Sequence, residues 1–315
     1  MYNSGNWVDG IMIRNLEEKL KEYLNVKYVL LTNNGTSSLL AAYWALREKY
    51  SRLIVDPYTF PATYQPARLL GYKIKYRKNI LEQKISIDPS TVSTLVHLYG
   101  QPNRLVNKID KNVLIEDACQ AFGAEIQGVK VGTIGVVGCY SFYPTKSLHT
   151  CGHGGAIVTN DEELYQKMKV FIQSGREDGK MTENIALNLR MDEIKAEFLL
   201  HELSHYEDRI KIQRDISREY LQVIPTIQPF LAEHKGDRHI YSVFNLLIEK
   251  RDKFRQYMEK KGIATLVYYG DDILPINERK YYTDWTSRIV SVPNRWNLTD
   301  REVKKIRNAL EEWFA

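Results

Sequence analysis

Ser141-Phe142-Tyr143-Pro144-Thr145-Lys146, read together with Ile115-Glu116-Asp117 upstream, decides the fold of this chain. Lys146 follows an apolar and aromatic run, Val136 to Tyr143, that reads as a buried strand. It precedes a glycine-bearing loop, Gly152-His153-Gly154-Gly155. Lysine seldom sits beside buried structure without a partner or a task. For a lone lysine the plainer reading is a surface residue after an edge strand. Here a second short strand, Val113-Leu114-Ile115, leads to Asp117. A lysine and an aspartate at the ends of two strands meet the needs of a pyridoxal phosphate (PLP) site. The amine forms a Schiff base and the carboxylate pairs with the pyridinium nitrogen.

Outward from these two strands the chain alternates helix and strand signals. Ile11 to Leu24 has Ile13, Leu16, Leu20 and Leu24 on one helical face. Tyr28 to Thr32 reads as a strand, Asn33-Asn34-Gly35-Thr36 as a turn, and Ser37 to Arg47 as a helix. Strands are expected at Leu53 to Val55, Lys73 to Tyr76, Thr94 to Leu98 and Val113 to Ile115, with a helix over Ala62 to Leu70. Short apolar strands alternating with helices predict an α/β fold: a large domain whose central sheet is mostly parallel and flanked by helices. Asp192 to Leu221 reads as one long helix with Ile194, Phe198, Leu199 and Leu203 on an apolar stripe. It bridges to a smaller C-terminal α+β domain. That domain holds strands at Ser242 to Ile248 and Thr265 to Tyr269, and helices at Asp252 to Lys261 and Asp300 to Phe314. The expected domains are residues 1–220 and 221–315.

A phosphate has a natural place at Gly35-Thr36-Ser37-Ser38, between a strand and a helix. Helix N-termini present free N–H groups to an anion, and Gly35 permits close backbone approach. The hydroxyls of Thr36 and Ser37 add donors. A simple N-cap is the commoner use of such residues. Gln120 follows Asp117 by three residues, within reach of the ring's phenolic oxygen. Phe60, in Tyr58-Thr59-Phe60-Pro61-Ala62-Thr63, is a candidate to stack on the ring, although plain core packing is the usual fate of a phenylalanine. Three rival signals are weaker. Gly132-Thr133-Ile134-Gly135-Val136-Val137-Gly138 lacks the spacing of a dinucleotide fingerprint. His149-Thr150-Cys151-Gly152-His153 fits no standard zinc pattern. Cys119 reads as a buried, inert thiol rather than a nucleophile.

Composition is ordinary for a globular protein. The chain has 315 residues, 43% hydrophobic and 26% charged, with a net charge of +5. Acids and bases are mixed rather than clustered, which argues against a nucleic-acid face. A modest positive excess helps draw in a phosphorylated substrate. Three irregularly spaced cysteines argue against a disulfide framework. Without a signal pattern or a long apolar run, a cytoplasmic protein is expected.

Taken in order, these segments resemble the DegT-type (DegT/DnrJ/StrS) sugar aminotransferases, PLP enzymes of the aspartate-aminotransferase fold (fold type I). The resemblance spans nearly the whole chain. It is carried by Trp7 to Gly10 and the helix after it, Asn34-Gly35-Thr36-Ser37, Tyr58-Thr59-Phe60-Pro61-Ala62-Thr63 and His97-Leu98-Tyr99-Gly100-Gln101-Pro102. Ile115 to Ala121, Ser141 to Lys146 and Asn188-Leu189-Arg190-Met191-Asp192-Glu193 continue the series. Each match alone is weak; seven in register are specific.

The resemblance implies roles. Lys146 forms the Schiff base, Asp117 pairs with the pyridine nitrogen, and Gln120 approaches the ring oxygen. Gly35, Thr36 and Ser141 bind the phosphate, Asn188 reaches it from the other subunit of a homodimer, and Phe60 stacks on the ring. It implies transfer of an amino group, with glutamate as donor, to a nucleotide-linked keto sugar. Relatives that dehydrate sugars carry histidine in place of Lys146, so the lysine favours transamination. A cyclic-ketone (cyclitol) aminotransferase and a PLP-binding regulatory protein without turnover are the alternatives. Two departures concern the substrate end: His153 stands where an acidic residue is usual, and Tyr268-Tyr269-Gly270-Asp271-Asp272 replaces a histidine-tyrosine-proline run.

Overall fold

The computed structural model describes Gly5 and residues 7–77, 89–177, 180–183, 185–226 and 228–315. The strands of its large half are β1 (Tyr28–Thr32), β2 (Arg52–Val55), β3 (Lys73–Tyr76), β4 (Thr91–Val96), β5 (Leu114–Asp117), the small hairpin β6 (Glu125–Ile126) and β7 (Val129–Lys130), β8 (Val137–Ser141) and β9 (Gly155–Thr159). Seven of them form one sheet in the order β1-β9-β8-β5-β4-β2-β3. The pairs from β8 through β3 are parallel, and β9 alone runs against both neighbours.

The sheet is covered on both faces, as a largely parallel sheet must be. Strand alternation sorts its side chains. Val29, Leu31, Leu114, Tyr140 and Val158 face a layer containing Leu16 and Leu20 of α1 (Ile11–Leu24). Leu30, Ile115, Cys139 and Ile157 face α2 (Gly35–Leu46), which is followed in the chain by the short α3 (Gln65–Leu69), and α4 (Glu162–Ile172). The first layer also holds Leu199 of α5 (Glu193–Ser204) and Ile210 of α6 (Tyr206–Leu221). Each fully buried Leu or Ile side chain contributes roughly 1.5–3 kcal/mol. The hairpin β10 (Arg176–Glu177) and β11 (Lys180–Met181) precedes α5.

Beyond α6 the chain forms β12 (Phe244–Leu247), α7 (Arg251–Lys260), α8 (Thr283–Arg288), β13 (Ile289–Val292) and α9 (Asp300–Phe314). Strands β12 and β13 pair antiparallel. They enclose an apolar cluster with Phe254 of α7, Ile306 of α9 and the end of α6. A second, aromatic cluster joins Tyr58 and Tyr99 to Phe230 and Tyr282. Thr299 caps α9 in a reciprocal box with Glu302, as its sequence indicates.

Several expected boundaries move. Helix α2 begins at Gly35, because the Asn34 side chain accepts from the Ser37 N–H and starts the helix earlier. The 62–70 helix is broken at Tyr64 into a 3-10 turn and α3. Strand β4 ends at Val96 rather than Leu98, because Tyr99 enters the left-handed region (φ 58°). Strand β8 ends at Ser141, so Lys146 lies on the following loop rather than at the strand's tip. The long bridging helix is two, broken at His205, where the dihedrals leave helical values (φ −107°, ψ 1°) and Tyr206 turns into the core to donate to the Phe122 carbonyl. Its stripe divides accordingly: Leu199 is buried, whereas Ile194 and Phe198 are exposed. Thr265–Tyr269 is not a strand; only Leu266 bridges to Ser291. No helix among the described residues is long and apolar enough to cross a membrane.

Candidate active site

The two acids of Ile115-Glu116-Asp117 point to opposite faces of β5, since successive side chains of a strand alternate. Asp117 is the last residue of the strand and shares the α2 face with Ile115. The residue is 4% exposed. The Thr63 hydroxyl donates to Oδ2 (2.7 Å) and the Cys119 N–H to Oδ1 (3.1 Å). Thr63 is itself bonded to Thr59, so the 58–63 segment clamps Asp117 from one side. The remaining acceptor capacity of the carboxylate leaves room for another donor, as a protonated ring nitrogen requires.

Glu116, on the other face, is fully buried and saturated. Oε1 accepts the N–H groups of Ile134 and Gly135 (2.6 Å each). Oε2 accepts the Gly132 N–H (2.8 Å) and bonds His97 Nε2 (2.9 Å). His97 Nδ1 accepts from the Asn103 N–H (3.0 Å), so Nε2 carries the proton. The glycine-rich run that misses the dinucleotide spacing is therefore a cradle for an internal carboxylate. The His97 N–H also donates to the Asp117 carbonyl (3.0 Å), locking the end of β5 to β4.

Lys146 reaches the same end of the sheet from the loop after β8, its side chain half-buried. Burial pushes its ammonium below the ordinary lysine range, and the neighbouring Cys119 and Asp117 only partly oppose this. Gln120 is committed on both sides: its Oε1 accepts the Tyr99 N–H (3.0 Å) and its Nε2 donates to the Tyr269 hydroxyl (3.2 Å). Tyr269, whose phenol is pushed up by burial and then by Asp117, is thereby brought from the C-terminal segment into the cleft of Lys146.

Gly35 opens α2 against the ends of β5 and β8. A Cβ there would meet Ser141 Cβ at 2.8 Å and Cys119 Sγ at 2.9 Å, so only glycine lets the turn approach this closely. Thr36 is exposed, and the Ser37 hydroxyl donates to Asn33 Oδ1 (2.6 Å). Phe60 is 54% exposed, its ring 6.4 Å from that of Tyr269, so one aromatic face stays uncovered by the core. Asn188 is also exposed, its Oδ1 accepting from Arg190 Nε (3.1 Å), on a segment where Ile185 and Leu187 face solvent.

The structure thus gathers Asp117, Gln120, Lys146, Ser141 and the Gly35 turn at the C-terminal ends of the parallel strands, where ligands of such sheets bind. The roles of Thr63 and the Glu116–His97 pair escaped the sequence reading, and Tyr269 was singled out only as part of the run that departs from the family pattern. Thr63 lies in a segment quoted for its phenylalanine, and Glu116 sits beside the residue that drew notice. The contact of Tyr269 with Gln120 had no local signal, because it depends on the C-terminal chain folding back.

These residues fit PLP: an amine of lowered basicity, a buried carboxylate with a free acceptor site, and a glycine-lined helix start suited to a phosphate. Fold and site together define an α/β protein of the PLP-dependent aminotransferase fold, fold type I. The chain belongs to the DegT/DnrJ/EryC1/StrS aminotransferase family, which matches residues 1–311. It is 28% identical over 304 residues to the UDP-2-acetamido-2-deoxy-3-oxo-D-glucuronate aminotransferase of Pseudomonas aeruginosa, covering 90% of this chain and 83% of that one. It is 29% identical over 286 residues to the pleiotropic regulatory protein of Geobacillus stearothermophilus, covering 84% and 77%. Among solved structures, a DegT DnrJ EryC1 StrS aminotransferase from Brucella abortus superposes with a TM-score of 0.89 at 25% identity, over 100% of this chain and 93% of that one.

Proposed function

We propose that this protein is a PLP-dependent transaminase that moves an amino group from glutamate to a nucleotide-linked keto sugar. The observation that carries the reading is the Lys146–Asp117 pair, a lysine of lowered basicity beside a clamped carboxylate. The kinship with an aminotransferase named for a UDP-linked oxo-sugar acid supports the substrate class. When bound, PLP supplies an electron-withdrawing ring that makes an amino acid's α-hydrogen acidic.

The chain's residues do the rest. Asp117 holds the proton on the ring nitrogen, and Thr63 and the Cys119 N–H keep that carboxylate in place. Gly35, Thr36, Ser37 and Ser141 hold the phosphate; the Ser37 hydroxyl is already given to Asn33, so its contribution is a remaining lone pair and its backbone. Phe60 covers a ring face, and Gln120 offers its second N–H to the ring oxygen. Lys146, driven toward its neutral form by burial, takes the proton from the donor's α-carbon. Exclusion of water by the wall of Tyr268, Tyr269 and Phe244 strengthens each of these interactions. The same reading makes the protein a homodimer in which Asn188 serves the neighbouring subunit, supported by the exposed Ile185 and Leu187 beside it. It takes residues 1–220 as the PLP-binding unit and 221–315 as the smaller unit, supported by the separate apolar cluster around β12 and β13.

The test is the visible absorbance of the protein loaded with PLP, before and after glutamate. Conversion of the yellow lysine-bound form by glutamate, followed by its return on adding UDP-, dTDP- or GDP-linked keto sugars, is expected. A yellow protein indifferent to every amino acid would instead favour a regulatory role, as the name of the Geobacillus relative suggests for that protein.

A further inference from the structure

Thr145 and Lys146 line the cleft together with Pro293, Asn294 and Arg295, which lie on the turn between β13 and α9. Four side chains that do not line it, His149, Glu202, Arg209 and Trp296, join these two stretches by a line of contacts. The first contact is on the Lys146 loop. Leu148 is buried in the core, and the Thr150 hydroxyl donates to the Lys195 carbonyl of α5 (2.8 Å). The loop is thereby laid against α5. His149, between these two anchors, places Nε2 3.7 Å from Glu202 Oε2, too long for a hydrogen bond but well within electrostatic range. Its Nδ1 is buried without a hydrogen-bond partner. The ring is therefore oriented by the Glu202 carboxylate and by the Phe198 ring beside it (6.3 Å), not by a bond at Nδ1.

Glu202 is itself only 7% exposed. A carboxylate so buried needs a cation, and Arg209 of α6 bonds the same Oε2 from across the break at His205. The Arg209 guanidinium in turn lies 4.4 Å from the centroid of the Trp296 ring. Trp296 directly follows the cleft residues of the turn, and that turn is anchored at Asn294, whose Nδ2 donates to Ser217 Oγ (3.0 Å) and to the Tyr241 carbonyl (2.9 Å). We propose that Glu202 is a positioning residue. Through His149 it sets the loop that carries Lys146, and through Arg209 and Trp296 it ties that loop to the turn at 293–296. The proposal rests on the transaminase reading above. In that reading Lys146 first holds PLP and then, once freed, moves a proton at the donor's α-carbon. A freed amine is placed by its loop alone, and a misplacement of about 1 Å can cost 10²-fold in rate. The line of contacts therefore acts on the second task.

His149→Ala and Trp296→Ala cut the line at its two ends, at residues that are not fully buried. One measurement needs no turnover: amide hydrogen exchange of peptides covering 143–153, read by mass spectrometry on the full chain with and without PLP. The Lys146 and Thr150 N–H groups donate to the Tyr143 and Phe142 carbonyls (2.8 and 2.9 Å). Their exchange is expected to quicken about 10-fold in Trp296→Ala as well as in His149→Ala. If Trp296 serves only its own surroundings, the loop exchanges as in the parent, and the proposal is overturned. The other measurement is the rate at which saturating glutamate removes the yellow absorbance of the PLP-loaded protein, with α-protio and α-deuterio glutamate. Each substitution should slow it about 10–100-fold and enlarge the isotope effect, because proton transfer becomes the slow step. The double variant should be no slower than the slower single one, as expected of residues that act through one line. Glu202→Gln, which keeps the shape without the charge, should fall between the parent and these variants. Unchanged rates, or effects that multiply in the double variant, overturn the proposal. If the parent takes up PLP but ignores glutamate, the transaminase reading falls. The exchange measurement then decides by itself whether loop and turn are tied: quickened exchange in Trp296→Ala upholds the tie, and unchanged exchange overturns it.

Discussion

Replacing Glu116 with glutamine tests whether the end of β5 is held as the hydrogen bonds indicate. The substitution conserves volume, so it opens no cavity. Each carboxylate oxygen accepts two donors: Ile134 and Gly135 on Oε1, Gly132 and the protonated Nε2 of His97 on Oε2. Whichever oxygen becomes NH2, it faces two N–H groups that it cannot accept. Two hydrogen bonds to a charged acceptor are lost in a fully buried site, at about 1.5–3 kcal/mol each. The expected destabilisation is roughly 3–6 kcal/mol, a large share of the ~5–15 kcal/mol that holds a typical protein folded. Urea unfolding followed by tryptophan fluorescence measures it. With a slope of about 3 kcal/mol/M, the midpoint falls by roughly 1–2 M. PLP affinity should fall as well, because the next residue is Asp117. A midpoint within ~0.3 M of the parent would show that the loop at 132–135 does not depend on this carboxylate and would refute the reasoning.

Lys146→Ala should fold normally, lose the yellow absorbance of the PLP-loaded protein and lower turnover by at least about 10²–10⁴-fold, the range of acid–base catalysis; ordinary activity in a steady-state assay would remove Lys146 from the chemistry. Gly35→Ala drives a Cβ into Cys119 Sγ and into the Cβ of Ser141, which is fixed to its strand and cannot swing away. It should weaken PLP binding in a fluorescence titration and cost about 1–3 kcal/mol of stability from overpacking. His239 is buried, and burial lowers its pKa to about 4. Its folded pKa lies below the unfolded value of about 6.5, so the unfolded chain binds more protons between these values and acidification destabilises the protein. His239→Asn should remove about 2 kcal/mol of the loss between pH 6.5 and 5, seen as a flatter dependence of the urea midpoint than in the parent. Glu17 has the opposite sign. Burial raises its pKa to about 7, above its unfolded value, so its contribution is present below the unfolded carboxylate range and is lost as pH rises through 7. Glu17→Gln should therefore steepen the acid loss over the same window, and an unchanged slope would place that carboxylate in water.

The α/β class and the mostly parallel sheet were legible because both of their signals are local: apolar runs of strand length, and helices with one apolar face. The lysine, the aspartate and the glycine turn were legible for a similar reason, since each stands beside a strand that marks itself. What could not be read depends on contacts between distant segments. The break at His205 follows from the tertiary demand that Tyr206 enter the core, which outweighs helix propensity across the junction. Ile194 and Phe198 satisfy a helical stripe by spacing, yet the helix turns them to solvent while Leu199 enters the core. Tyr268 and Tyr269 read as a strand by composition, but only Leu266 finds a partner there. Tyr269 instead closes on Gln120, 149 residues earlier in the chain.

The adjacency of Glu116 and Asp117 constrains how such a protein can change over generations. One acid belongs to the architecture and its neighbour to the cofactor, and only strand parity tells them apart. An insertion or deletion within β5 would exchange their faces, emptying the cradle at 132–135 and the clamp at Thr63 in a single event. Length changes in this strand are therefore closed to the lineage. A descendant that abandoned turnover while keeping the fold would do so by point substitution at Asp117 or Lys146, with Glu116 retained. Glutamate without aspartate at this doublet would then mark a silent relative, and the doublet intact a working one only where Lys146 is kept as well.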